Sequence, residues 1–513
     1  MLLALLVAVS SVLLGAALSF VPTTSRAVLG YMRTFATLAA VAVVVTHLLP
    51  EALRELGPLS ILLFLAGWFA PALAHFVGQR STSGRTQHAV LEAGYWGLVV
   101  HHVADGIGLG AYTRLPAEQG SHLDVIVALA AHTVPLIAVV SLAYRTTFGA
   151  RSAVLRSLGL ALASVFGIGL SSLVAARTIE GFAPVIAAVA AGLLLHVVTH
   201  DLTEDPAHAP LARTVDLGVA ALGVSVSLLG VWHSSEPSTR DFVHGLVQLT
   251  ERTSLVILVA LAAAAFSLRT PDRSSKWARA ALPAGPLGAE SVLLSIALFG
   301  FVAAGLRLLV TAAALAFFAR VPEAHSHEQA PRQHWRARAS EALESSGPWL
   351  VLGLLVGALL LSVPVSPLTH KVSGTILELA IVALVANLTP VAAPAAVLIA
   401  AGLSGLGLSP AAILLFATLA PLTNSLGAPL KARALVTLAC GGVAAVCMLV
   451  GISAAPLDGA LSQGDLGPRA AITLAVLLLL GIWQRSARLW LSEIVRSPPH
   501  EHEHAHDVHG PHE

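Results

Sequence analysis

The stretch from Val99 to Tyr112 reads VVHHVADGIGLGAY and places two histidines and an aspartate inside an otherwise apolar segment. Ionisable side chains at membrane depth cost about 2.5–3.5 kcal/mol each on insertion scales, so they are typical of ion or substrate paths. This stretch therefore indicates a membrane-spanning helix that contains a functional centre.

The composition of the whole chain also favours a membrane protein. The 513 residues are 56% hydrophobic and 11% charged, with a mean hydropathy of +0.81, whereas a soluble domain carries about 25% charged residues. The formal net charge of +1 argues against nucleic-acid binding. We predict an all-α, polytopic integral membrane protein of the bacterial inner (cytoplasmic) membrane, with the lipid bilayer as a partner.

Apolar runs predict two helical bundles that are joined by polar segments. The first 235 residues contain eight runs that are long enough to span a bilayer. The predicted organisation is an eight-helix bundle at 1–235, a linker with transmembrane helices at 236–320, a His-containing hydrophilic loop at 321–346, a second bundle at 347–495 and a disordered His-rich tail at 496–513.

Histidine and aspartate within two neighbouring spans form a candidate metal site. His101 and Asp105 are four residues apart and share one helix face, whereas His102 points about 100° away and is a candidate ligand for a neighbouring metal position. The next span supplies His132, with Pro135 three residues later. His101, Asp105 and His132 with one water would complete a tetrahedral zinc site, and these ligand types also accept iron, manganese, cobalt or nickel. The alternative is a buried structural pair of His101 and Asp105.

Two further spans carry polar side chains near their ends. We interpret these residues as ligands at the two ends of a metal path, or as polar side chains in the lipid headgroup zone. They are His47, Glu51, His196, His200 and Asp201.

The apolar run at 373–403 is interrupted by polar residues and proline. Such a segment is typical of the discontinuous helices that form transporter binding sites, and a simple proline kink is the alternative. Glu378 and Lys371 are either functional intramembrane charges or interfacial residues. The candidate site residues of this half are Asn387, Thr389, Pro390 and Asn424.

The C-terminal tail reads HEHEHAHDVHGPHE, with six histidines and four acidic residues. Imidazoles at this density predict a low-affinity site for zinc, nickel or copper. A solvated tail without a role and a purification tag are the alternatives. The ligands that we assign to this site are His500, His502, His504 and His506.

Three of these motifs resemble the ZIP family of divalent-metal transporters: THLLPEAL, then HHVADGIGLG, then a mid-span histidine with proline three residues on. The family's fourth-span motif, H-N-x-x-D/E-G, maps onto His101, His102, Asp105 and Gly106, with histidine in place of asparagine. The segment AGLLLHVVTHDL resembles the seventh helix of the family, with Asp201 at its acidic position. The resemblance implies a ZIP-like eight-helix bundle that moves divalent cations toward the cytoplasm.

The chain departs from the ZIP pattern in the fifth span. Thr133 follows His132 where the family has a second ligand, and Leu136 follows the proline where the family has an acid or histidine. The bridging carboxylate of a two-metal centre is therefore absent. A one-metal site, altered selectivity and a non-transporting member all remain open.

The second half resembles a family of predicted permeases that includes organoarsenical exporters. The resemblance lies in GPWLVLGLLVGALLLSVP and in the later Pro-rich stretch that ends in PLTN. Asn387, Leu388 and Thr389 occupy the position of the family's cysteine motif, so the usual ligand for a soft substrate is missing. The resemblance implies a permease-like helical bundle.

These observations predict a transporter of divalent metal cations, with zinc as the first choice of substrate. A non-transporting metal sensor or buffer is the first alternative, and a permease for a small solute through the second half is another. An intramembrane metallohydrolase is disfavoured because no apolar span contains an H-E-x-x-H motif, and Val197 replaces its glutamate between His196 and His200. We therefore predict that the protein is not an enzyme.

Overall fold

The protein is described here by a computed structural model. The described residues are 2–20, 26–57, 59–79, 86–112, 123–173, most of 184–196, 210–233, 237–266, 284–318, 335–363, 371–389, 391–426, 430–451 and 466–495. These segments are almost entirely helical and contain no strand. The predicted all-α fold is therefore confirmed for this part of the chain.

The N-terminal bundle comprises helices α1 to α9. Their bounds are α1 Leu2–Phe20, α2 Arg26–Val43, α3 Leu49–Leu56, α4 Leu59–Gln79, α5 Thr86–Tyr112, α6 Leu123–Phe148, α7 Ala150–Leu173, α8 within 184–196 and α9 Pro210–His233. A π-helical turn, Val44–Leu48, joins α2 to α3. Leu49 donates its N–H to the Val44 carbonyl, and Pro50, the next residue, has no N–H to donate. The proline therefore favours a widened turn at this point.

The C-terminal bundle comprises helices α10 to α18. Their bounds are α10 Pro237–Phe266, α11 Ala289–Phe318, α12 Trp335–Leu361, α13 Ile376–Leu388, α14 Ala393–Gly405, α15 Pro410–Leu426, α16 Leu430–Val450, α17 Leu466–Arg485 and α18 Ala487–Val495. Helices α10 and α11 lie within the predicted linker segment and pack against α12, α14 and α15. The run at 373–403 is two helices, α13 and α14, which are separated at residues 389–392.

Seven helices in the described residues are long and apolar enough to cross a membrane. Two of them, Gly30–Leu56 and Ala150–Ser172, belong to the N-terminal bundle, and the other five belong to the C-terminal bundle. Shorter apolar helices accompany them in both bundles. The chain is therefore a helical membrane protein by length and composition, and the eight spans of residues 1–235 stay a prediction.

Glycine allows helices to approach closely in both bundles. At Gly106 of α5 and Gly167 of α7, an added Cβ would overlap the facing backbone carbonyl of Ser164 or Val103. In the C-terminal bundle, a Cβ on Gly353 of α12 would lie 2.8 Å from Ala395 Cα of α14. Small residues that let backbones touch are the usual basis of helix packing in membranes. Helix α14 is buried from Ala393 to Gly402 and forms the centre of its bundle.

The two bundles meet where α10 packs against α3 and where α17 and α18 pack against α9 and α2. Asp216 of α9 is buried there and accepts hydrogen bonds from Thr34 Oγ1 at 2.6 Å and from the Ala487 N–H at 3.1 Å. The indole N–H of Trp483 donates to Thr214 Oγ1 at 3.1 Å. A carboxylate near a helix N-terminus is favourable because the peptide dipoles there are positive. Asp216 therefore ties the last helix to the N-terminal bundle.

Candidate metal site

His101 and Asp105 form a pair in the middle of α5, in which His101 is buried and Asp105 is partly buried. His101 Nε2 lies 3.3 Å from Asp105 Oδ2, and the two side chains are 3% and 11% exposed. Side chains four residues apart on a helix stand one above the other on the same face. The pair therefore presents one nitrogen and one oxygen donor side by side.

His102 takes a different direction from His101. Its Nδ1 lies 3.1 Å from Ser164 Oγ of α7, and its side chain is buried. The ring centroids of His101 and His102 are 5.8 Å apart and the planes meet at 61°. The structure therefore assigns His102 a partner on α7, away from the side chain of Asp105.

Close packing of α5 against α7 positions the pair. Gly106 follows Asp105 directly and contacts the α7 backbone, and a Cβ at Gly110, one turn further, would overlap Ser171 Oγ. Any larger residue at these two positions would push α5 away from α7. The glycines of the HHVADGIGLG stretch therefore hold the His and Asp side chains at a fixed depth and rotation.

Several predicted site residues lie outside the described part of the chain, in whole or in side chain. The backbone of His47 lies in the π-helical turn and that of His132 lies in α6, but their side chains are outside the description, as is the side chain of Asn424. The residues wholly outside it are His200, Asp201, Pro390, His500, His502, His504 and His506.

Glu51 and His196 lie on helices other than α5. Glu51 occupies the first turn of α3 and is partly buried. The ring of His196 packs edge-on against Trp68 of α4, with centroids 5.7 Å apart at 85°. In the described residues, no group of three or more His, Cys, Asp or Glu side chains comes together. The described centre is therefore the pair of His101 and Asp105.

The polar residues of the second half bond to neighbouring helices and to their own helix. Asn387 Nδ2 donates to the Ala383 carbonyl at 2.8 Å and to Thr437 Oγ1 at 2.9 Å, which links α13 to α16. Thr389 Oγ1 donates to the Val385 carbonyl at 2.7 Å. These contacts close the C-terminal end of α13 at the break before α14.

Glu378 is buried and acts as a cap between two chain segments. Its carboxylate accepts from the Gly374 N–H at 2.9 Å, from the Ser409 N–H at 2.7 Å and from Ser409 Oγ at 2.6 Å. Thr375 Oγ1 in turn accepts from the Glu378 N–H, as in a capping box. The contacts give Glu378 a structural role at the start of α13, and the functional and interfacial interpretations both stay predictions.

Arg307 of α11 and Asp216 of α9 are buried charges that the sequence analysis did not single out. A single arginine within the 30-residue apolar helix Ala289–Phe318 is the signal that marks Arg307. Asp216 had no comparable signal because it lies near the start of its span, where an acid is common.

Comparison with protein families, with curated proteins and with solved structures finds no match to the chain. The class that the fold supports is a helical membrane protein of two bundles. Its function is inferred below from the residues of this chain.

Proposed function

We propose that the protein transports divalent metal cations, zinc foremost, across the bacterial inner membrane through the N-terminal bundle. The observation that carries this proposal is the pair of His101, which is buried, and Asp105, which is partly buried, in the middle of α5. An imidazole nitrogen and a carboxylate oxygen are ligands that zinc accepts, and iron, manganese, cobalt and nickel accept them too.

The spacing of the two donor atoms fits a tetrahedral ion. Two ligands that are each about 2.0–2.1 Å from zinc and subtend a tetrahedral angle lie about 3.3–3.4 Å apart. His101 Nε2 and Asp105 Oδ2 are 3.3 Å apart. A cation could therefore bind between them with little movement of either side chain.

The remaining ligands of the proposal come from other helices. His132 on α6 is proposed as the third ligand, with His102 as a ligand in a neighbouring position. His47, Glu51, His196, His200 and Asp201 are proposed as ligands at the two ends of the path, which leads toward the cytoplasm. The imidazoles must be neutral to bind metal, so binding releases protons and transport should slow at acid pH.

Uptake by reconstituted protein tests the proposal. The full chain and two variants, His101→Ala and Asp105→Asn, are placed in liposomes, and uptake of zinc, Fe(II), manganese, cobalt and nickel is measured. The control is Glu92→Gln, because Glu92 also lies on α5 but pairs with Arg156 at 2.6 Å near the helix start. We expect both site variants to lose uptake and the control to keep it. Equal uptake by all four proteins would rule out the α5 site.

A second arm of the experiment separates transport from metal buffering. Deletion of residues 500–513 removes the six histidines of the tail. A transporter keeps its uptake without the tail, whereas a buffer that depends on the tail loses most of its bound metal. Loss of both binding and uptake in the deletion variant would favour the buffer.

A further inference from the structure

Ser164 of α7 lies where this helix approaches α5 closely. Its side chain is 2% exposed, and its backbone carbonyl faces Gly106, while Gly167, three residues on, faces the Val103 carbonyl. At both glycines a Cβ would overlap the facing helix. The backbones of α5 and α7 therefore fix the register that brings His102 to Ser164.

The Ser164 hydroxyl belongs to a chain of two hydrogen bonds. Ser164 Oγ donates to the Leu160 carbonyl, one turn earlier on α7, at 3.3 Å, and it lies 3.1 Å from His102 Nδ1. A serine hydroxyl has one hydrogen to donate and two lone pairs that accept. Because that hydrogen is directed to the Leu160 carbonyl, a hydrogen bond with His102 requires a hydrogen on Nδ1. The chain then runs from the imidazole N–H to the hydroxyl and from the hydroxyl to the carbonyl.

The opposite arrangement makes fewer hydrogen bonds. If Ser164 donated to His102 Nδ1, its hydroxyl would no longer donate to Leu160, and only one of the two contacts would be a hydrogen bond. Both side chains are buried, and buried polar groups are generally hydrogen-bonded. The geometry therefore favours the tautomer of His102 that carries its hydrogen on Nδ1.

This tautomer decides which nitrogen of His102 can bind a metal. In a neutral imidazole one ring nitrogen carries the hydrogen and the other carries a lone pair, so a hydrogen on Nδ1 leaves the lone pair on Nε2. The two ring nitrogens point in different directions, so Nε2 points away from Ser164. Histidines that bind metals usually donate their other ring N–H to a protein acceptor, which fixes the tautomer and the orientation of the ring. The contact with Ser164 is of this kind.

We propose that Ser164 is a positioning residue of the metal path: it holds His102 as the Nδ1–H tautomer and so makes Nε2 the donor that His102 offers to a divalent cation. Ser164 acts through His102 and does not itself bind the cation. This role rests on the metal transport proposed above, in which His102 is the ligand of a neighbouring position. The tautomer does not depend on that function, so the two can be tested separately.

Ser157, two turns earlier on α7, provides a matched control. Its side chain is 3% exposed, its hydroxyl donates to the Ala153 carbonyl at 2.9 Å, and it lies 2.7 Å from Ser141 Oγ of α6. The two serines thus make the same kind of bonds, but Ser157 has a hydroxyl partner where Ser164 has an imidazole. Ser157→Ala and Ser164→Ala should therefore lower Tm by similar amounts.

Nitrogen-15 solid-state NMR of the full chain in liposomes, without metal, tests the tautomer. The chain has 22 histidines, so the signals of His102 are identified as those that His102→Gln removes. At alkaline pH, where imidazoles are neutral, we expect the parent to carry the hydrogen on Nδ1. We expect Ser164→Ala to lose that preference and Ser157→Ala to keep it. A hydrogen on Nε2 in the parent, or an unchanged tautomer in Ser164→Ala, would overturn the proposal.

A second variant serves if Ser164→Ala does not fold. Ser164→Cys keeps a side chain of similar size, but a thiol is a weak donor and a weak acceptor. We expect it to lower the share of the Nδ1–H tautomer as well. The same share as in the parent contradicts the proposal.

Zinc uptake by the same proteins in liposomes tests what the tautomer does. Loss of a bond that orients a metal-binding histidine typically lowers metal affinity about 10–100-fold. We therefore expect Ser164→Ala to raise KM for zinc about tenfold or more and Ser157→Ala to leave it unchanged. A parent-like KM in Ser164→Ala contradicts the positioning role while the proposed transport stands. No zinc uptake by the parent overturns the proposed transport and the role that rests on it, so the two failures are distinguishable.

Discussion

The His101–Asp105 pair of the N-terminal bundle and the buried charges of the C-terminal bundle lie in different surroundings. In the N-terminal bundle, His101 and Asp105 lie one turn apart on a single helix and face each other at 3.3 Å. In the C-terminal bundle, Arg307 and Glu378 reach backbone and hydroxyl groups on other segments of the chain. The first arrangement joins neighbours on one helix, whereas the second joins separate parts of the fold.

This difference separates a charge that can exchange its partner from a charge that holds the structure. A cation between His101 and Asp105 would replace the contact that these two side chains make within one helix. Removal of Glu378 would instead leave the Gly374 and Ser409 N–H groups without their acceptor, and a buried donor that loses its acceptor costs about 1–3 kcal/mol. Variants at His101 or Asp105 should therefore change metal uptake more than stability. Variants at Glu378 should change stability more than uptake.

The largest effect on stability is expected at the glycine contact that positions the metal pair. In Gly167→Ala the new Cβ meets the Val103 carbonyl of α5, and such overpacking costs up to about 3 kcal/mol. The control is Gly169→Ala on the same helix, where a Cβ meets nothing within 4 Å. We expect thermal unfolding in detergent to show a large loss of Tm for the first variant only. Equal Tm values would mean that α5 and α7 separate without cost.

The next largest loss of stability is expected at Glu378, the buried residue that caps α13 in the C-terminal bundle. Glu378→Gln places an amide N–H₂ group against donors from Gly374 or Ser409, so we expect a loss of about 2 kcal/mol. The matched control is Glu344→Gln, because Glu344 pairs with Arg485 at 3.2 Å in a partly exposed position. Surface pairs contribute about 0–1 kcal/mol, so the control should change little. Similar losses in both variants would contradict the structural role of Glu378.

Helix periodicity and hydropathy were sufficient to predict some of these features. The spacing of His101 and Asp105 places them on one helix face, and proline with polar residues marks the break after Leu388. The partner of His102 was not predictable, because Ser164 reaches it only through the register of α5 against α7. The break in α11 at Gly300 was not predicted, because a single glycine in an apolar run does not indicate that a helix reverses direction there. Ser291, Ser295 and Arg307 meet only after that fold-back.

A smaller effect is expected where the bundles meet. Asp216→Asn loses one of the two acceptors that serve Thr34 Oγ1 and the Ala487 N–H, so we expect a loss of about 1.5 kcal/mol. The change should also loosen α18, which hydrogen exchange at residues 487–495 would detect as faster exchange. Thr34→Val is the companion variant, because it removes one bond and leaves the Ala487 contact intact. Unchanged exchange in Asp216→Asn would show that α18 docks without this carboxylate.

The smallest loss of stability is expected at Asp105. This variant decides whether the His101–Asp105 pair differs from the structural charges of the C-terminal bundle. Asp105→Asn keeps the shape of the side chain and leaves an oxygen or amide group beside His101, so the loss should be about 0.5 kcal/mol, as for other i, i+4 pairs. Zinc uptake should nevertheless disappear, because the amide supplies no charge to the cation. Asp216→Asn makes the same chemical change at another buried position, and we expect it to lower Tm while uptake persists. If Asp105→Asn lowers Tm as much as Glu378→Gln does, the His101–Asp105 pair is a structural contact like those of the C-terminal bundle, and the metal path must be sought on other helices.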